Sequence, residues 1–179
     1  MPQQIDWSGW LTLLSTTILG GVTIYFAFRT RQLELKQARQ INREFDRELA
    51  AAETEAQRAA SFRLYWDGWK KDNDLQRTLA LYVQARDDMP HVETSRLQNP
   101  LAFHLPNVLE DARHGEVRFH VALNLLDMAT GRIHMPNSPP VAELVQKAEA
   151  ALHEAEEYFQ RVLDAVTQKR ATLRNETEN

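Results

Sequence analysis

From Trp7 to Phe28 (WSGWLTLLSTTILGGVTIYFAF) the chain carries no charged residue, and no other stretch of that length is free of them. An α-helix needs roughly 20 mainly apolar residues to cross about 30 Å of hydrocarbon, and this run has that length between Asp6 and Arg29. Leu11, Leu13, Leu14, Ile18, Leu19, Val22, Ile24, Phe26 and Phe28 each favour insertion by about 0.3 to 0.6 kcal/mol at a helix centre. The Ser, Thr and Gly residues among them offset part of that, but no ion has to be buried. Trp7 and Trp10 at one end and Tyr25 at the other stand where amphipathic rings anchor at lipid headgroups. The run therefore reads as a transmembrane helix.

A cleavable signal peptide would need basic residues before the apolar run and a small-x-small site after it. Residues 1–6 hold no Lys or Arg, and Tyr25-Phe26-Ala27 makes a poor site. Arg29, Arg31, Lys36, Arg39, Arg43 and Arg47 all follow the span. Basic flanks stay on the cytoplasmic side, so the expected topology in a bacterial inner membrane is single-pass, N-terminus outside and C-terminal domain cytoplasmic. Arg29, Arg31, Lys36 and Arg39 are then the lipid-proximal cations, neutralising anionic headgroups.

The rest of the chain is rich in Ala, Leu, Glu, Gln, Arg and Lys, and Gly68, Gly115 and Gly131 are its only glycines after the span. That composition favours helix, and no alternating β-branched run argues for a sheet. The expected fold is all-α: a transmembrane helix continuous with a long coiled-coil-like helix, then a small helical bundle. Its divisions are a short external N-terminus at 1–6, the span at 7–28, a juxtamembrane helix at 29–70, a bundle domain at 71–174 and a frayed tail at 175–179.

In the juxtamembrane helix, Ala38, Ile41, Phe45, Leu49, Ala52, Ala56, Ala59, Phe62, Trp66 and Trp69 recur at steps of three and four, near the period of a coiled-coil seam. Trp66 and Trp69 share one face and are a candidate interface, with the core of the distal domain as the competing role. Asp67-Gly68 and Asp72-Asn73-Asp74 read as a helix stop and a new N-cap. A second helix follows from Leu75 to Asp88, with Leu75, Leu79, Tyr82 and Val83 on its inner face. The prolines between Pro90 and Pro106 predict a loop or short turns from Met89 to Pro106. Asn107-x-x-Glu110 resembles a capping box that opens a third helix, which Gly115 interrupts and Gly131 ends. That helix is apolar around most of its circumference and is expected to be central. Ser138-Pro139 caps the last helix, in which Val141, Val145, Ala148, Leu152, Ala155, Phe159, Val162 and Val166 form a regular stripe, widened by Leu144, Ala151, Tyr158 and Ala165 to suit a bundle.

Chemistry-bearing residues gather on the third helix, where Arg113, Glu116, His120, Asn124 and Asp127 form one polar line at helical spacing. Glu116, His120, Asn124 and Asp127 are the candidate site, either a covered polar network or a solvent-facing row. No histidine pair has the spacing of a zinc-binding helix and the chain has no cysteine, so no metal or cofactor is expected. Neither GxSxG nor a phosphate-binding glycine loop is present. A net charge of −4 argues against nucleic acid as a partner.

The run from Val117 to Gly131, with Arg118, Leu123-Asn124, Asp127 and Ala129 ahead of the glycine, resembles a segment of a family of bacterial single-span membrane-anchored helical proteins of unknown function. Asp127 stands where the family has its usual acid, and the acidic residues expected after the glycine are missing from Arg132-Ile133-His134-Met135-Pro136. The resemblance implies an anchor and a helical domain and no activity. The general layout is also similar to rotary ATP synthase peripheral stalks and to phage spanins, from which the prolines and the basic flank depart. The sequence thus points to a membrane-anchored interaction or scaffold protein whose partners are the lipid bilayer and either itself or another protein. The alternatives are a membrane effector or signalling component, for example in phage defence, and an enzyme using the polar line at 116–127.

Overall fold

The structure is a computed structural model that describes the backbone of residues 7–86, 92–132 and 140–178, and side chains from 23 to 176 within those ranges. The described residues form five α-helices and no strand: α1 (Trp7–Asp72), α2 (Leu75–Ala85), α3 (Thr94–His104), α4 (Leu109–Arg132) and α5 (Val141–Glu178). A 3-10 turn, Pro106–Val108, joins α3 to α4. Two compact units divide between Arg43 and Glu44. The bundle therefore begins inside α1, well before the expected boundary at residue 71.

In the first unit, the side chains from Thr23 to Ile41 all lie exposed, among them Ile24, Tyr25, Phe26 and Phe28. Among the described residues no helix is long and apolar enough to cross a membrane. Most of the expected span, residues 7–22, lies outside the described side chains.

The second unit is a four-helix bundle whose second helix is broken. The C-terminal part of α1 runs antiparallel to α5: Asp46 meets Arg170, Arg63 meets Glu156, and Lys70 meets Glu149. α4 is also antiparallel to α5, since Asp111 meets Arg161 and Arg118 meets Glu154. The remaining position is filled by α2 and α3 end to end. Trp66 packs edge-on to Tyr82, Glu55 bonds Glu93, and Phe45 packs on His104, so the two short helices continue one antiparallel register along α1. Up-down-up-down order with short connections is a stable way to bury four amphipathic stripes.

The α-helical seam of α1 turns inward. Leu49, Ala52, Ala56, Ala59, Phe62 and Trp66 are buried, as are Val145, Ala148, Leu152, Ala155, Phe159, Val162 and Val166 on α5. Alanines on α1 let the helices approach closely, while the aromatic layer Phe62, Trp66, Tyr82 and Phe119 fills the wider end. One carboxylate joins this core: Glu55, only 2% exposed, accepts the backbone N–H of Glu93 at 3.2 Å and a guanidinium N–H of Arg58 at 3.2 Å. It supplies the negative charge that the N-terminus of α3 favours, from a neighbouring helix rather than from a capping side chain.

Several local expectations change. α1 runs straight through Gly68 and stops only after Asp72; Asp74 then caps α2, accepting Arg77 N–H at 2.8 Å. Inside the expected loop at 89–106 the chain forms α3, and Pro100 sits within it. Its ring removes one N–H from the ladder, but Leu97 and Leu101 are completely buried on either side and hold the turn in place. Asn107 lies in the 3-10 turn, and Glu110 binds Arg113 at 2.7 Å rather than closing a capping box. α4 passes through Gly115, and its described part ends at Arg132, one residue past the expected stop at Gly131. A Cβ on Gly115 would lie 3.2 Å from the Phe159 ring and from Tyr158 Cβ, so this glycine sets the α4–α5 approach instead of breaking the helix. α5 stays helical to Glu178, past the expected fraying point. Leu173 is buried there, and Arg174 reaches Asp46 at 3.6 Å. The expected cap at Ser138-Pro139, like residues 87–91, lies outside the described residues.

Candidate functional site on α4

Helical spacing does align Arg113, Glu116, His120, Asn124 and Asp127, and the bundle treats its members differently. Glu116 lies at the α3 end, half-buried, where its carboxylate accepts a hydrogen bond from the Thr94 hydroxyl and another from Gln98 Nε2 at 2.7 Å. Asp127 lies at the α2 end. Its Oδ1 accepts the Tyr82 hydroxyl at 2.8 Å and its Oδ2 accepts Arg86 Nη2 at 2.9 Å. Burial, and then the hydrogen bond to Asp127, push the Tyr82 phenol well above its ordinary range. These two acids fasten the two halves of the broken helix to α4.

Between them the row faces outward. His120 is exposed, and its Nδ1 donates back to the Glu116 carbonyl of its own helix at 2.8 Å. Asn124 is exposed as well. The four residues therefore do not converge on a common point, and the arrangement works as two structural clasps with a surface between them. Among the described residues there is no group of three or more His, Asp or Glu placed to hold a metal ion.

Trp66 is 1% exposed, and its indole N–H donates to Glu149 at 3.1 Å, while Lys70 binds the same carboxylate at 2.7 Å. It belongs to the core, which corrects its candidacy as an interface. Trp69 is half-buried, edge-on to Phe62. Arg29, Arg31, Lys36 and Arg39 are exposed along the first unit.

Features that sequence reasoning missed lie on α1, α3 and α5. Arg170 binds Asp46 at 2.7 Å and also holds Glu53. The bond from Arg170 draws the Asp46 carboxyl below its usual value, and in return raises the guanidinium. No helical periodicity could have revealed this cluster, because its partners are more than a hundred residues apart. An open groove of about 490 Å³ is lined by Phe45, Glu48, Ser95, Asn99, Pro100 and Phe103. Two of these lining residues also hold His104, whose ring lies tilted against Phe45 and whose Nε2 is 2.8 Å from Glu48 Oε2.

Comparison with protein-family models, with curated proteins and with solved structures finds no match.

Proposed function

We propose that this protein is a membrane-anchored helical interaction or scaffold protein: Trp7 to Phe28 crosses the bilayer, and the bundle from Glu44 onward is its cytoplasmic working part. The observation that carries this reading is the charge-free run, which ends in Ile24, Tyr25, Phe26 and Phe28, more than half exposed around the whole circumference of α1. A charge-free helix of this length, with large apolar side chains at its end, is best accommodated where lipid or protein surrounds it. The exposed cations Arg29, Arg31, Lys36 and Arg39 follow at once, where anionic headgroups attract them.

The bundle supports an interaction role over catalysis. Glu55, Glu116, Asp127 and Asp46 are occupied in clasps between helices. Topology is the direct test. A reporter that is active only in the cytoplasm, fused after Asn179, should be active, and one that is active only outside should be silent. The reverse pattern would overturn the orientation.

A further inference from the structure

The groove between α1 and α3 combines an apolar wall with a carboxylate that the bundle leaves without a cation. Phe103 is 79% exposed, the most exposed large apolar side chain among the described residues, while Leu97 and Leu101 hold α3 in the core without it. Phe45 and Pro100 complete the wall of a space of about 490 Å³, and no Lys or Arg lines it. Glu48 is its one charged lining residue. His104 Nε2 holds Glu48 through Oε2 at 2.8 Å, and Oε1 has no partner among the described residues. Glu44, one turn earlier on the same face of α1, is exposed and also meets no Lys or Arg among the described residues. Neighbouring carboxylates do have such partners: Asp46 and Glu53 hold Arg170, and Glu93 takes Arg96, the one arginine of α3, at 2.8 Å. The last turn of α3, where Phe103 stands, adds the partial negative charge of a helix C-terminus.

We propose that this groove docks a partner protein by taking one of its arginine side chains, with the methylene stem and guanidinium against the phenylalanines and an N–H donated to Glu48 Oε1. Aromatic walls attract a cation, and a carboxylate fixes its direction. Arginine suits the lining better than lysine, because a guanidinium carries five N–H donors in one plane and needs several acceptors. Beside Glu48 stand two more, the Asn99 amide oxygen and the Ser95 hydroxyl. The Asn99 side chain has no hydrogen-bond partner among the described residues, and Ser95 Oγ reaches Glu93 only at 3.3 Å. Lying open on the bundle surface, the groove admits a side chain still attached to its own backbone. This deepens the interaction reading above, on which it rests, and draws nothing from the anchor.

The test is selection of a displayed library of random peptides on the full chain in mild detergent, followed by titration of the enriched peptides. These should carry an arginine, and replacing it by citrulline, which keeps the shape and loses the charge, should weaken binding about tenfold. Glu48→Gln should weaken binding by about the same factor, and Phe103→Ala about threefold. Both positions are exposed, so both variants should melt with the parent, and Leu64→Ala, an exposed site on α1, should bind as the parent does. Enriched peptides without an arginine bias, equal binding after arginine is changed to citrulline or lysine, or binding that Glu48→Gln leaves unchanged would overturn the groove alone. An absence of any enriched peptide would overturn the interaction reading with it. Butylguanidinium chloride matching the peptide in affinity would make this a small-cation site, and a dimer of the parent chain that Glu48→Gln dissociates would make the occupant a second copy; either result overturns the docking of a partner.

Discussion

The Tyr82 hydroxyl donates to Asp127 Oδ1 at 2.8 Å, and through this bond the first half of a broken helix is fixed to α4. Asp127 and its neighbour Asn124, three residues earlier on the same polar line, are thereby given different work. Asp127→Ala should destabilise the bundle by about 1 kcal/mol, because it removes the acceptor shared by Tyr82 and Arg86 and leaves the hydroxyl only its longer bond to the Leu123 carbonyl at 3.3 Å. Asn124→Leu should leave the unfolding of dilute protein within about 0.5 kcal/mol, as for an ordinary surface change. Urea unfolding of the two variants side by side checks both, and equal effects would contradict the assignment.

The same bond makes stability depend on alkaline pH. The folded-state pKa of Tyr82 is raised, so folding holds its proton more tightly than the unfolded chain does. Its contribution is complete below the ordinary tyrosine value, about 10, and is lost as pH rises toward the folded value. Tyr82→Phe should therefore show a shallower loss of melting temperature above that pH than the parent. On the acid side Asp46 behaves oppositely: its folded pKa is lowered, so its contribution is present above the ordinary aspartate value and is lost as pH falls through the folded one. Asp46→Asn should flatten the acid limb of the profile.

Two glycines in helices should respond to alanine with opposite signs. At Gly68 an added Cβ meets nothing within 4 Å, so Gly68→Ala should stabilise by up to about 1 kcal/mol through helix propensity. At Gly115 the new Cβ would press on the fully buried Phe159 and on Tyr158 Cβ, an atom next to the backbone that cannot swing aside. Overpacking of this kind costs about 1 to 3 kcal/mol, which outweighs the propensity gain. Equilibrium unfolding decides, and a stabilised Gly115→Ala would show that the α4–α5 contact is looser than described.

Glu55→Leu should cost about 1 to 3 kcal/mol, because it strands the Glu93 N–H that opens α3. Glu55→Gln keeps an acceptor oxygen and should cost less. Hydrogen exchange at Glu93 to Leu97 gives a local readout. Unchanged protection in Glu55→Leu would remove the carboxylate from its role in starting that helix.

Much of the bundle was legible because its long helices repeat a simple pattern. The stripe from Val145 to Val166 needed only spacing to be assigned to a bundle face, and spacing also gave the seam from Leu49 to Trp66, though as a coiled-coil-like seam outside the bundle rather than as part of its core. The failures share a cause, since each involved a residue whose usual local meaning was overridden by tertiary packing. Pro100 marked a loop, yet buried leucines on both sides carry a helix past it. Gly115 marked a break, yet it lies within α4, packed against Phe159. α4 was expected to be central because apolar residues cover most of its circumference, whereas Val117, Val121 and Met128 face outward. The polar line on α4 was visible as a line, but its division into covered ends and an open middle depends on Thr94, Gln98, Tyr82 and Arg86, which helical spacing alone does not bring near it.

Alkaline extraction of cell membranes tests the anchor at residues 7–28 most directly. The full chain should remain in the pellet after carbonate washing. A variant carrying both Leu14→Arg and Ile18→Arg should be released, since each arginine at the centre of a span costs about 2.5 to 3.5 kcal/mol of insertion. Recovery of the unaltered chain in the supernatant, or equal retention of the doubly charged variant, would contradict a transmembrane helix at residues 7–28.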